Sequence, residues 1–217
     1  MEYVILEKSV QVKTFTRSRK GKIEQVHQFE RKGEKSVVKS QSKRIVEGLD
    51  NVMKLFKQTE GMCGPASIRI AISTFHKSYS EKEIARIAHS TAEEGTNSSG
   101  MIKALKKIGI STTEFKNMSE AHSLDVVRRY TAVGKPVIVD WLKTKEKDNE
   151  EVSDTSKIKS THDYEHYSVI AKVDDSFVYM FDPLEKTEQK LPIRYFMSRW
   201  WDSEDKRWFL VLDGEKK

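Results

Sequence analysis

Apolar and polar positions change rhythm along the chain. Val10-Gln11-Val12-Lys13-Thr14-Phe15-Thr16-Arg17 alternates apolar with polar, and Val26-His27-Gln28-Phe29-Glu30-Arg31 does so again. Period-two alternation is the mark of a strand with one covered face. The basic stretch Ser18-Arg19-Lys20-Gly21-Lys22 between them is turn-like, so a β-hairpin is predicted. Val12, Phe15 and Arg17 line up with Val26, Phe29 and Arg31. Two arms of one hairpin share such likeness by pattern alone, so no repeat array follows. Gly33 to Ser42 is polar and charged and reads as a linker.

The rhythm then becomes helical. Ile45, Val46, Leu49, Val52, Met53, Leu55 and Phe56 predict a short helix within Lys43 to Lys57. After the loop Gln58 to Met62, Gly64-Pro65 opens an apolar run to Phe75. Proline suits a first helical turn, where its missing N–H costs nothing. Ile68, Ala71, Ile72 and Phe75 share one face, with Ala66 and Ile70 beside it, so this helix is expected to be central and buried. Ser80 with Glu83 forms a capping-box pattern ahead of Ile84, Ala85, Ile87 and Ala88. Glu94 to Gly100 reads as a loop, Met101 to Ile108 as a helix closed by Gly109, Ile110 to Phe115 as a strand, and Ser119 to Val133 as a helix through Leu124, Val127 and Tyr130.

Strands dominate the rest. Val137 to Trp141, Tyr167 to Val173, Phe177 to Phe181 and Trp208 to Leu212 are predicted strands, with Asp174-Asp175-Ser176 as the turn between the second and third. Ile193 to Trp200 reads as a short helix. Lys143 to Thr161 is charged and almost free of apolar residues, which predicts an exposed insertion. Helices first and a mostly antiparallel sheet afterwards define an α+β domain. The expected organisation is a basic hairpin extension and linker over 1–42 and one domain over 43–217.

Composition narrows the classes. The chain has 217 residues, enough for one good-sized core plus an appendage. Its single cysteine excludes an intramolecular disulfide framework and suits a reducing compartment. The N-terminus lacks the pattern of a signal peptide, and no apolar run reaches membrane-spanning length. A cytoplasmic protein without a membrane partner is expected. Charged residues make up 33 % and the net charge is +6, with the excess in the first fifty residues. That is moderate for a dedicated nucleic-acid binder. The basic hairpin tip could contact nucleic acid or an acidic partner, although a solvated charged hairpin accounts for it as well.

Candidate chemistry centres on the lone cysteine. Cys63 falls where the loop meets the buried helix, and a helix N-terminus favours a thiolate. A cysteine nucleophile needs a base, a group that orients the base, and donors for an oxyanion. His166 opens one predicted strand and Asp182 closes its neighbour, so an antiparallel pair turning at Asp174 to Ser176 puts both at its open end. Gln58, five positions before Cys63, can offer a side-chain amide to an oxyanion together with the Cys63 N–H. His162 and His166, four apart, would suggest zinc on a helix. The residues after His166 favour a strand, Asp163 rather than Glu follows the first histidine, and no further ligand is evident. No metal or cofactor is expected.

In order, Gln58 followed by Cys63-Gly64-Pro65-Ala66-Ser67, His166-Tyr167-Ser168-Val169-Ile170 and Phe181-Asp182-Pro183 resemble the papain-like bacteriocin-processing cysteine peptidases. These cleave leader peptides after a double glycine, and the likeness extends to related stand-alone domains. It covers about residues 50 to 213, including Gly95-Thr96 before Gly100-Met101-Ile102, Lys135 to Val139, and Phe196 to Trp201. The resemblance implies a papain-like fold with Cys63 as nucleophile, His166 as base, Asp182 as its orienter and Gln58 as oxyanion donor. It also implies a peptide or protein substrate in a cleft between the helical half and the sheet. Gly95 and Trp141 are the expected cleft-wall residues, with the loop 95–99 and the insertion 143–161 at the border. Two features depart from the pattern: the glutamine usually stands six positions before the cysteine, and Met62 replaces the usual acid or small polar residue. An acyl transferase of the phytochelatin-synthase kind and a non-catalytic peptide-binding or adaptor module share the fold.

Overall fold

The computed structural model describes residues 53–144, 163–200 and 206–216, together with the backbone of six strands in the N-terminal segment. By internal contacts the chain divides into two compact units, Met1–Arg44 and Ile45–Lys217.

The first unit is a long antiparallel hairpin in three rungs. Strand β1 (Tyr3–Leu6) pairs with β6 (Ser36–Lys39), β2 (Ser9–Val12) with β5 (Phe29–Lys32), and β3 (Phe15–Arg19) with β4 (Lys22–Val26). The hairpin is longer than the alternation suggests. Ser36 to Lys39, read as linker, is a strand, because the Ser-Val-Val-Lys run finds a partner in Tyr-Val-Ile-Leu at the N-terminus. Ser18, Arg19 and Lys22, read as turn, pair across the ladder.

In the second unit, α1 (Cys63–Ile72), α2 (Glu81–Ala88), α3 (Ser98–Ile108), α4 (Glu120–Ala132) and α5 (Ile193–Arg199) surround a six-stranded sheet. Its strands are β7 (Ile110–Phe115), β8 (Val137–Thr144), β9 (Asp163–Val173), β10 (Phe177–Phe181), β11 (Gln189–Pro192) and β12 (Phe209–Glu215). The order is β11-β10-β9-β8-β12-β7, and every neighbouring pair is antiparallel.

Both faces of this sheet are buried, and alternate residues feed two cores. Ile138, Val169, Ala171, Leu210 and Leu212 face α1, α2 and α3. Val137, Val139, Ile170, Phe209 and Val211 join Val126 and Val127 of α4 and Phe196 of α5. A strand covered on both sides reads as a continuous apolar run. This is why Val137-Ile138-Val139 shows no alternation.

Local signals account for the helix ends. The Ser80–Glu83 capping box forms with both reciprocal hydrogen bonds. Helix α3 begins three residues before the apolar pattern, because Asn97 caps it by accepting from the Gly100 N–H at 2.8 Å. Gly109 ends it with φ of 87°. Of the helix expected over Lys43 to Lys57, Met53 to Lys57 has no regular structure, and 43–52 lie outside the described residues. This segment is held by tertiary bonds instead: the Lys54 N–H donates to Ser73 Oγ at 2.9 Å. The expected insertion also begins later than its charge suggests, since Lys143 and Thr144 belong to β8; 145–162 lie outside the described residues.

Candidate active site

Helix α1 starts at Cys63 with no side-chain cap and no acidic residue in its first turn. The first N–H groups of any helix lack intrahelical partners, so an uncapped start leaves the amide donors of Cys63 and Gly64 beside the sulfur. All of α1 from Gly64 to Ile72 except Arg69 is buried. Ser67 ties the helix to the sheet by donating to the Tyr167 carbonyl at 2.9 Å. That bond lies one turn after Cys63 and one residue after His166, so it fixes the start of the helix against that strand.

Glycines let the surrounding loop close onto the cysteine. A Cβ on Gly64 would lie 2.7 Å from Thr96 Cβ, and one on Gly61 would lie 2.4 Å from the Ala92 carbonyl oxygen. Gly61 also has φ of 71°, where side chains are disfavoured. The Cys-Gly pair is thus required by the approach of the 92–96 loop.

His166 and Asp182 stand at the open end of the β9–β10 hairpin, where Phe181 pairs with Val169. His166 Nε2 lies 2.8 Å from Asp182 Oδ1, and both side chains are 1 % exposed. Cys63 is the other side chain that acts on the imidazole and raises it, and Tyr164 meets the ring edge-on at 5.9 Å. Asp182 is fully engaged. Its Oδ1 also accepts from the Leu184 N–H at 2.8 Å, and its Oδ2 accepts from Lys143 Nζ at 2.7 Å. Lys143 bonds Glu185 Oε1 at 2.8 Å as well.

These contacts set the charge states. Burial pushes the His166 imidazole down, but hydrogen bonds to Asp182 and Cys63 and their charges outweigh it, raising the value to about 9. Burial likewise pushes Asp182 up, but His166 and Lys143 hold it at about 2. Lys143 is raised above its ordinary value, as Asp182 and Glu185 outweigh its own burial. The result is a chain of alternating charge that runs from the partly exposed Glu185 through buried Lys143 and Asp182 to His166.

Cys63, His166, Gln58 and Gly95 line one cleft of about 780 Å³, along with Glu93, Glu94 and Asp140. The Gln58 backbone is pinned beside Asp182, donating to the Pro183 carbonyl at 3.0 Å. Its side-chain Nε2 donates to the Thr59 carbonyl at 3.3 Å, while Oε1 is buried without a hydrogen-bond partner. Glutamine brings both a donor and an acceptor, and their placement follows from the hydrogen-bond network. As placed, the amide spends its donor on the Thr59 carbonyl.

Trp141 is not a cleft residue. It lies opposite His166 in the ladder, but its ring is buried in the second core, 6.3 Å from Phe196, and its indole N–H donates to Ser168 Oγ at 3.0 Å. Trp208 and Tyr167 form the aromatic wall instead, packed edge-to-face at 5.6 Å. The Trp208 ring is held by donation to Glu114 Oε1 at 2.7 Å. Lys143 escaped the sequence reading too: it opens a long charged run, and only the register of β8 shows that it turns inward. Among the described residues no group of three or more His, Cys, Asp or Glu side chains is placed to hold a metal ion. His162 lies outside the described residues. No helix of the described residues is long and apolar enough to cross a membrane.

A sheet with a helix carrying cysteine at its N-terminus, and histidine and aspartate at the neighbouring strand edge, is the papain-like cysteine peptidase arrangement. Solved structures share the fold. The peptidase domain of Streptococcus ComA, a bi-functional ABC transporter involved in quorum sensing, aligns over 74 % of this chain and 98 % of its own, with a TM-score of 0.54 and 20 % identity. A putative C39-like peptidase from Bacillus anthracis aligns over 78 % of this chain and 98 % of its own, with a TM-score of 0.54 and 15 % identity. A double glycine motif protease from an AMS/PCAT transporter, solved with the leader peptide, gives 0.51 at 15 % identity over 74 % of this chain and 89 % of its own. A search of curated proteins finds no match. The model of the Peptidase_C39 like family matches residues 50–206, and the chain belongs to that family.

Proposed function

We propose that this protein hydrolyses a peptide bond through a thioester on Cys63. The observation that carries the reading is His166 Nε2 fixed by the Asp182 carboxylate at 2.8 Å in the cleft that Cys63 also lines. An imidazolium and an uncapped helix N-terminus beside one sulfur are the surroundings in which cysteines act as nucleophiles.

His166 holds the proton that leaves the Cys63 thiol. The sulfur attacks the carbonyl carbon, forming a C–S bond while the carbonyl π electrons move onto oxygen. The Cys63 N–H, with Gln58 Nε2 after its amide turns, faces that oxyanion. His166 then gives its proton to the departing amine as the C–N bond breaks, leaving the thioester. Water attacks the thioester and loses a proton to His166, and the acid is released with Cys63 restored. Asp182 stays ionised and orients the ring throughout.

The leader-peptide complex of the transporter protease supports a peptide as the substrate class. Four carboxylates, Glu93, Glu94, Asp140 and Glu165, line the cleft, and no Lys or Arg does among the described residues. Cleavage is therefore expected to favour sequences with Lys or Arg near the scissile bond. A quenched-fluorescence peptide library, with acid-quenched mass spectrometry to trap the acyl-enzyme, tests the reading. Wild-type protein should cleave and show an adduct on Cys63, and Cys63→Ala should do neither. Cleavage that survives Cys63→Ala would overturn it. Acyl transfer to added glutathione in place of hydrolysis would move the protein to the transferase class.

A further inference from the structure

A second pocket opens at the far end of α1 from the thiol. It has a volume of about 540 Å³, within the range of small-molecule sites of roughly 300–1,000 Å³. Arg69 comes from the last turn of α1, Lys54 from the segment before it, and His76 and Lys77 from the turn after it; Phe56 and Tyr79 supply aromatic surface. Three side chains of fixed positive charge and one histidine thus line one cavity.

These charges are poorly compensated. The sole ion pair that any of them makes with a described residue is Lys77 with Glu215, at 3.6 Å. Arg69 makes no hydrogen bond or ion pair with the described residues. Its guanidinium lies over the Phe56 ring at 3.9 Å, and its Nε is buried with no acceptor. The stacking fixes the plane of the fork without neutralising it. The side chain is only half-buried, so water is the alternative partner that a bound ion would displace. The dipole of α1 favours a cation in its last turn. That accounts for Arg69, but not for Lys54 arriving from a separate segment to share the cavity.

We propose that this pocket binds a phosphate-type oxyanion, either free or carried on a small organic molecule. Arg69, held flat against Phe56, would present two N–H groups to the oxygens. Lys54, Lys77 and His76 would add charge from the other walls, and Phe56 and Tyr79 would cover an organic body. The pocket shares no residue with the Cys63 cleft, so the proposal stands or falls separately from the peptidase reading.

The test is calorimetric titration of the full chain with inorganic phosphate, pyrophosphate and phenyl phosphate, at constant ionic strength balanced with sodium chloride. Saturable one-site binding is expected, weakened about tenfold by Arg69→Gln. Lys54→Gln with His76→Gln, both at exposed positions, should weaken it about threefold and decides the matter if Arg69→Gln fails to fold. Cys63→Ala should bind as wild type does. Tighter binding of phenyl phosphate would assign the site to an organic phosphate, and equal or tighter binding of inorganic phosphate to the free ion. No saturable binding of any of the three, or binding unchanged in every folded pocket variant, would overturn the proposal.

Discussion

The charge state of His166 makes stability depend on pH in a defined direction. Its value in the folded chain is about 9, against 6.5 for an unperturbed histidine. Below pH 6.5 folded and unfolded chains both carry the proton, and the full stabilisation is present. Between pH 6.5 and 9 the unfolded chain has released the proton and the folded chain retains it. Folding then loses about 1.4 kcal/mol for each pH step, or about 3 kcal/mol across the window. Above pH 9 the loss is complete. His166→Asn removes the titration while leaving a side chain that can still donate to Asp182. Urea unfolding of both proteins, followed by tryptophan fluorescence from pH 6 to 10, measures the effect. All four tryptophans belong to the 45–217 unit, so the signal reports on the domain that holds the site. The stability difference, wild type minus His166→Asn, should fall by about 3 kcal/mol as pH rises through the window. Titrating groups that do not interact with His166 are common to both proteins and cancel. Cys63→Ala should flatten part of the slope, because Cys63 is one of the two groups that raise His166. A difference that stays flat to within about 0.5 kcal/mol would refute the buried His166–Asp182 pair as drawn.

Two further substitutions examine the frame around the site. Lys143→Met removes the ammonium from Asp182 Oδ2 and leaves a buried carboxylate short of a partner, which should cost about 3–5 kcal/mol in urea unfolding at pH 7. Lys143→Arg keeps the charge and should recover much of the loss in both stability and peptide cleavage. Gly64→Ala drives a methyl to within 2.7 Å of Thr96 and should cost about 1–3 kcal/mol, with a lower melting temperature on a calorimetric scan; an unchanged melting temperature would mean that the 92–96 loop stands clear of Cys63.

What was legible beforehand follows from where the signals are local. The start of α1 at Cys63 was readable because Pro65 and the apolar run after it act within one helical turn. The Ser80–Glu83 box was readable for the same reason. The meeting of His166 and Asp182 was readable from the Asp174-Asp175-Ser176 turn. There Asp174 Oδ1 accepts from the Ser176 and Phe177 N–H groups at 2.8 and 2.7 Å, which fixes the hairpin and hence what stands at its other end. Strand β11, Gln-Lys-Leu-Pro, gave no such signal. It is an edge strand with one buried residue, Leu191, and pairs only with β10.

The exchange of Trp141 for Trp208 shows where that kind of reading stops. Both are nearly fully buried tryptophans on or beside sheet strands, and each satisfies its indole N–H with a side chain. They differ only in which face of the sheet they join, and a shift of one residue reverses the face. In a sheet with one wet face, polar residues would mark the parity. Here α1 to α3 cover one face and α4 with α5 the other, so apolar residues run on without a break and the parity leaves no trace in composition. It is fixed by pairings between residues far apart in sequence: Trp141 with His166, and Phe209, next to Trp208, with Val139. Lys143 obeys the same logic. It stands two residues after Trp141 on the same face of β8, and its ammonium reaches across β9 to Asp182. A lysine two residues from a buried tryptophan in one strand is expected to point the same way, and a buried lysine needs a carboxylate. Once the β8–β9 and β9–β10 registers are known, both the inward turn of Lys143 and its pairing with Asp182 follow; without them, the same residue is indistinguishable from the charged run that it begins.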